Sequence, residues 1–295
     1  MSEVTLHKEF ISANGIKLHV VSAGPEDGEP ILMLHGFPEF WYGWRHQIDF
    51  LAQQGYRVIA PDQRGYNLSE KPSSASDYRI STLAQDIDAL IGALGYEQVN
   101  LVGHDWGGAV AWWVATMFPQ RLKKLIILNI PYPSVMKRAF QSGNFAQLRK
   151  SWYMFAFQVP WLPEALAAIN DYRGVAKSIA GTGKPGTFSE ADLEEYRAAW
   201  RQPGAMRGMI NWYRAMFRQS AGPRREPGQR LRITMPTLLI WGEQDRFLGK
   251  ELAQPSIDLC DDGRIVFLPE ATHWVQHDEA NEVNRLIDTF VSGTL

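Results

Sequence analysis

The chain reads as an α/β protein, a mostly parallel sheet flanked by helices, with a helical segment inserted between two late strands. Three observations predict it. Short apolar runs alternate with helical periodicities over residues 10–128, the alternation stops over residues 134–230, and two further strand-like runs follow at 236–241 and 264–268.

The elements follow in order. Residues 10–12 and 17–21 flank Asn14-Gly15, a pair that tolerates the positive φ of a tight hairpin turn. Residues 31–34 and 56–60 are short apolar runs suited to strands buried on both faces. A helix opens at Ile80-Ser81-Thr82, repeats Leu83, Ile87, Leu90, Ile91 and Leu94 at three- and four-residue steps, and stops at Gly95. A strand at 99–102 runs through Gly103-His104-Asp105-Trp106-Gly107-Gly108 into an apolar helix at 109–118, and a further strand follows at 125–128.

The inserted segment, residues 134–230, is far longer than an ordinary connection and is crowded with aromatics, among them Phe140, Trp152, Tyr153, Phe157, Trp161, Trp212, Tyr213 and Phe217. It reads as a cap, or lid, over the sheet edge, with an apolar cavity beneath it; packing inside the cap is expected to bury most of its rings. Residues 221–228, rich in Pro, Gly and Arg, read as an exposed return linker. The core is then 1–133 with 231–295, and the cap 134–230.

Composition narrows the function. The chain has 295 residues, 45% hydrophobic and 21% charged, as an ordinary globular protein does. A net charge of -2 shows no basic field for nucleic acid or an anionic membrane, so neither is an expected partner and small neutral ligands fit better. The N-terminus lacks an apolar signal core, and one cysteine, Cys260, excludes an internal disulfide; both suit a cytoplasmic protein. Cys260 reads as a structural thiol. The stretch Ala180-Gly181-Thr182-Gly183-Lys184-Pro185-Gly186 is a false phosphate loop, with the wrong glycine spacing and Pro185 where a Ser or Thr would hold magnesium. No His, Cys or carboxylate cluster has metal-ligand spacing.

The chemistry centres on Asp105, which stands at a cramped strand-to-helix turn where a serine nucleophile is often found. Asp before a helix is commonly an N-cap. A nucleophile there instead requires an acid and then a histidine, each after a later strand, and Asp245 and His273 follow the runs at 236–241 and 264–268 in that order. A carboxylate nucleophile attacks a saturated electrophilic carbon to give an ester, and His273, oriented by Asp245, then activates water to hydrolyse it. The backbone N–H groups of Phe37 and Trp106 are the expected oxyanion donors. Gly36 lets the main chain approach the site, and Pro38 fixes that loop in a position where a cis bond is accessible. A leaving halide needs only weak donors such as an indole N–H, whereas an epoxide oxygen leaves as an alkoxide that needs a phenol. Trp152-Tyr153 and Trp212-Tyr213 supply phenols in the cap.

The motifs His35-Gly36-Phe37-Pro38-Glu39, Trp44-Arg45, Asp62-Gln63-Arg64-Gly65-Tyr66, Gly103-His104-Asp105-Trp106-Gly107-Gly108 and Thr272-His273-Trp274 resemble those of soluble epoxide hydrolases of the α/β-hydrolase fold. The cap segments Ser151-Trp152-Tyr153, Phe157-Gln158-Val159-Pro160 and Asn211-Trp212-Tyr213-Arg214 resemble the two tyrosine segments of the same family. The resemblance spans nearly the whole chain and implies an eight-stranded, mostly parallel sheet with a helical cap. It implies catalytic Asp105, Asp245 and His273, with Tyr153 and Tyr213 donating to the epoxide oxygen beside Phe37 and Trp106. It also implies an apolar epoxide and water as substrates, and no metal or organic cofactor. Asn67 departs from the small residue usual there, and Asn tolerates the left-handed backbone such a turn needs. A haloalkane or haloacid dehalogenase shares the Asp-His-Asp set and is the alternative enzyme, but it usually places an Asn where this chain has Phe37. A ligand receptor on the same scaffold is the alternative outside enzymology. The natural epoxide, its stereochemistry, a role in detoxification or catabolism, and whether the chain forms a homodimer all stay open.

Overall fold

The computed structural model describes residues 4–143, 145–218 and 232–295. The return linker expected at 221–228 and the later cap boundary, at 230/231, lie outside them.

The eight strands are β1 (His7–Ala13), β2 (Ile16–Ala23), β3 (Pro30–Leu34), β4 (Arg57–Pro61), β5 (Val99–His104), β6 (Leu122–Leu128), β7 (Thr237–Gly242) and β8 (Gly263–Leu268), in the order β1-β2-β4-β3-β5-β6-β7-β8. The hairpin β1-β2 turns on Asn14 and Gly15 at φ +48° and +77°. β2 meets β4 antiparallel, and from β4 to β8 every neighbour is parallel. The central strands read as unbroken apolar runs because both faces are covered. On β3, Ile31 and Met33 enter the layer under α1 (Arg45–Gln53) and α13 (Ala280–Ser292). Leu32 and Leu34 enter the opposite layer, under α2 (Ile80–Ala93) and α3 (Asp105–Met117). The remaining core helices are α11 (Ala253–Ile257) and α12 (Val275–Asp278).

Between β6 and β7 lie α4 (Pro133–Gln141), α5 (Phe145–Lys150), α6 (Trp152–Ala156), α7 (Leu162–Ala168), α8 (Arg173–Thr182), α9 (Glu190–Trp200) and α10 (Ala205–Arg218). Polar contacts tie them to the core. Trp212 Nε1 donates to the Arg64 carbonyl at 2.9 Å, Trp200 Nε1 to that of Pro38 at 2.6 Å, and Arg45 pairs with Asp192 at 3.1 Å. Asp192 is also held by a reciprocal capping box with Ser189 at the start of α9. Lys184, in the false phosphate loop, pairs with Glu279 of the core, so its charge has a structural use.

Most of the cap aromatics are packed: Trp200, Trp212 and Tyr213 are fully buried and Phe140, Tyr153 and Phe157 pack against the core, whereas Phe145, Trp152, Phe155, Trp161 and Phe217 are exposed. Ring periodicity in sequence does not distinguish an inner from an outer face when both are apolar. Asn67 adopts φ +38° and donates to Asp62 at 2.8 Å. Cys260 is buried, and burial pushes its thiol up to about 11, which keeps it an unreactive thiol. Among the described residues no helix is long and apolar enough to cross a membrane.

Candidate active site

Parallel strands deliver their C-terminal ends to one edge of the sheet, and the candidate residues collect there. Leu34 of β3 leads to Phe37, His104 of β5 to Asp105, Gly242 of β7 to Asp245 and Leu268 of β8 to His273. Four loops far apart in sequence therefore meet.

Asp105 is the first residue of α3 and sits at φ +48°, a left-handed conformation that a non-glycine residue holds only when its surroundings enforce it. The N-cap is His104 rather than Asp105, so the capping reading fails: the Asp105 carboxylate points across to the β3 loop instead. Oδ1 accepts the Phe37 N–H at 2.8 Å. The turn needs its glycines. A Cβ on Gly36 would stand 2.5 Å from the Asp105 Cβ, and one on Gly107 would stand 2.1 Å from the Leu34 carbonyl oxygen. The Phe37–Pro38 peptide is cis. Trp106 N–H lies in the first turn of α3, where amides have no intrahelical acceptor.

His273 Nδ1 lies 2.8 Å from Asp245 Oδ2, and its Nε2 lies 3.6 Å from Asp105 Oδ2, a charge contact longer than a hydrogen bond. Burial opposes charge on the imidazole, but Asp245 and Asp105 flank it and push it up to about 10. Burial likewise works against the Asp245 carboxylate, yet His273 and hydrogen bonds from Asn129 and Leu248 hold it below the usual range.

The phenols differ in placement. Tyr153 lines a cavity of about 410 Å³ together with Asp105, Trp106, Trp113, Met136 and Phe140. Tyr213 is fully buried, and its side chain is hydrogen-bonded to those of Tyr153 and Trp106. Its ring stands edge-on to Phe37 and Trp106, each at 5.1 Å, and 5.9 Å from the ring of Tyr153. Burial raises both phenols; Asp105 raises them further, and Tyr153 adds to the shift of Tyr213, so both stay protonated donors.

Sequence reasoning missed a set of supporting residues. Asn129, at φ +47° after β6, donates to Asp245 Oδ2 at 2.8 Å and accepts the Gly242 N–H at 2.8 Å; its signal was a polar residue directly after an apolar strand. The amides of Phe247 and Leu248 donate to Asp245 Oδ1 at 2.6 and 2.9 Å. From α5, Lys150 donates to the Asp245 carbonyl at 2.8 Å, and buried Gln147 bridges the Phe247 carbonyl and the Gly249 amide at 2.9 and 3.0 Å. His104 Nε2 donates to the His273 carbonyl at 2.8 Å, while Glu39 binds His277, Tyr196 and Gln276 beneath the site. Nothing in the local sequence marks Gln147 or Lys150, since their partners lie about a hundred residues away. Among the described residues no group of His, Cys, Asp and Glu could hold a metal ion.

Comparison with known proteins identifies the fold and the family. A family model described as alpha/beta hydrolase fold matches residues 29–280. The chain is 48% identical over 279 residues to the AB hydrolase superfamily protein YfhM of Bacillus subtilis (strain 168), covering 95% of this chain and 96% of that protein. It is 41% identical over 289 residues to Epoxide hydrolase 4 of Homo sapiens, covering 95% and 77%. Among solved structures, a Bacillus megaterium epoxide hydrolase in complex with an inhibitor superposes with a TM-score of 0.87 at 34% identity, covering 96% of this chain and 100% of that one.

Proposed function

The chain belongs to the epoxide hydrolases of the α/β-hydrolase fold, and from that premise we propose that Asp105 opens an apolar epoxide through a covalent ester, which water then cleaves to a vicinal diol. The reading rests on one observation: Asp105 shares a cavity with the Tyr153 phenol on one side and abuts the His273–Asp245 pair on the other.

The Phe37 amide holds Oδ1, which leaves Oδ2 as the attacking atom. Oδ2 forms a bond to a ring carbon as the carbon–oxygen bond breaks. Tyr153 donates to the departing oxygen, and Tyr213, hydrogen-bonded to Tyr153 and packed against Trp106, donates with it or to it; one phenol gives up the proton that makes the first hydroxyl. Ester formation then cancels the Asp105 charge, one of the two charges that hold His273 protonated, so the imidazolium gives up its proton, which restores the phenol, and the neutral imidazole is the base when water must be activated. Water attacks the ester carbonyl carbon, His273 takes its proton, and Asp245 stabilises the imidazolium. The oxyanion on Oδ1 accepts from the N–H groups of Phe37 and Trp106; its collapse expels the second diol oxygen, which takes the proton from the His273 imidazolium, and the carboxylic acid left on Asp105, carrying one oxygen from water, returns its proton to His273. The sequence needs no metal or organic cofactor. Residues 134–230 act as the cap that closes over the substrate.

Single turnover with excess enzyme in oxygen-18 water tests the covalent route. The diol should be unlabelled in the first turnover because its new oxygen comes from Asp105, and label should appear only in later turnovers. Label in the first diol would show direct attack by water.

A further inference from the structure

Helix α7 is built inside out. Leu162 and Leu166, four residues apart, share one helix face, Ile169 follows at the C-cap, and the three are 40%, 58% and 55% exposed. Its one charged residue, Glu164, turns inward to a bidentate pair with Arg214 of α10. The same holds upstream, where Trp152 and Trp161 are 66% and 74% exposed and Phe155 and Val159 are exposed with them. Soluble monomers scatter such side chains singly; here seven fall within residues 152–169. The patch reaches the cavity, since the Phe155 ring lies 6.5 Å from Phe140 and 5.2 Å from Phe217, both of which line it.

Charge says what such a face would meet. Residues 134–169 hold four Lys and Arg and a single carboxylate, the inward Glu164, while the rest of the chain holds 26 basic and 31 acidic residues. The overall charge of -2 therefore conceals a basic stretch of the cap, part of it on α4 with Phe140, whose ring meets Phe155. Lys137, Arg138 and Arg149 are exposed, and among the described residues none of them pairs with a carboxylate.

We propose that this face of the cap docks on an anionic lipid surface, its aromatic and aliphatic side chains entering the headgroup boundary and its basic stretch meeting lipid phosphates. Tryptophan suits that boundary because its ring is apolar and its N–H is polar. A second copy of the chain fits less well, because a two-fold contact would set one basic stretch against another. The docking stands apart from the chemistry of the site, and it would bring the cavity mouth to a phase in which apolar epoxides dissolve.

Co-sedimentation with phosphatidylglycerol/phosphatidylcholine vesicles, against phosphatidylcholine alone, tests the proposal. Binding to the anionic vesicles should be stronger by about tenfold or more, as expected for three cations near the surface, and should weaken with salt. The triple variant Trp161→Ser/Leu166→Gln/Ile169→Ser should lose about tenfold or more of that binding, from the apolar area it no longer buries. Arg138→Glu/Arg149→Glu should lose the preference for anionic lipid. Both variants should keep the wild-type melting curve and turnover of dissolved styrene oxide, since the changed side chains are exposed and lie outside the cavity. The proposal is overturned if the wild-type chain stays in the supernatant at low salt, if it binds both vesicles equally, or if the triple variant binds as well as the wild type. It is also overturned if sedimentation velocity shows a dimer that the triple variant dissociates while vesicles bind neither form, because the face then belongs to a second copy.

Discussion

Replacing Gly208 with alanine tests how tightly the placement of the cap governs the first chemical step. Gly208 lies in α10 against Gly65 of the core, and a Cβ at 208 would stand 2.4 Å from the Gly65 carbonyl oxygen and 2.8 Å from its Cα. Ordinary contact begins near 3.4 Å, so the backbones must separate by about 1 Å, the difference between 3.4 and 2.4. Gly65 has little freedom to retreat, being at φ +90° with the Tyr78 ring beside it. The helix must therefore move, and it carries Trp212 and Tyr213 one turn further on. Overpacking of this kind costs roughly 1–3 kcal/mol of stability. A 1 Å misplacement of a donor costs about 10²-fold in rate, equivalent to about 2.7 kcal/mol. The assay is single-turnover ester formation, followed by quenching of tryptophan fluorescence and by mass spectrometry of the Asp105 peptide, with thermal melts alongside. Ester formation should slow about 10²-fold in a protein that is still folded at the assay temperature. Ester formed at the wild-type rate would refute the claim that α10 sets the donor geometry.

Three further outcomes follow from the same geometry. His273→Gln should form the ester and then stall, giving one equivalent of alkylated Asp105 by mass spectrometry; steady release of diol would remove His273 from the hydrolytic step. The His273 imidazole is raised from 6.5 to about 10 in the folded chain, so its contribution to stability is complete below pH 6.5 and is lost as pH rises toward 10. The difference in melting temperature between the wild type and His273→Gln should accordingly shrink across that window, and a difference that grew with pH would contradict the assigned charge. Asn129→Ala removes a donor from Asp245 Oδ2 and leaves the buried carboxylate short of a partner. That should cost about 1–3 kcal/mol, expressed as slower ester hydrolysis with ester formation little changed; an equal loss in both steps would point to a general distortion instead.

Much of the site was legible because each of its residues sits next to a strong local signal. Asp105 follows a buried strand between glycines, and Asp245 and His273 follow the last two parallel strands, so chain order and the shared edge of the sheet place them together. Phe37 was legible for the same reason. Gln147 and Lys150 were not, because their contacts to the loop at 245–249 join segments about a hundred residues apart. Asn129 had a weak signal, and its role became plain only when β6 and β7 were seen to lie side by side.

The sequence alone determined the alternation of strands and helices, the inserted segment and the order of Asp105, Asp245 and His273, because backbone propensity and apolar periodicity act over a few residues. Only the tertiary structure decided that Asp105 sits strained rather than capping its helix, that Tyr213 is fully buried against Tyr153, Phe37 and Trp106, and that α7 turns its apolar face outward. Those features depend on which surfaces meet in space, and an apolar residue has the same local propensity whether it faces a core or the outside.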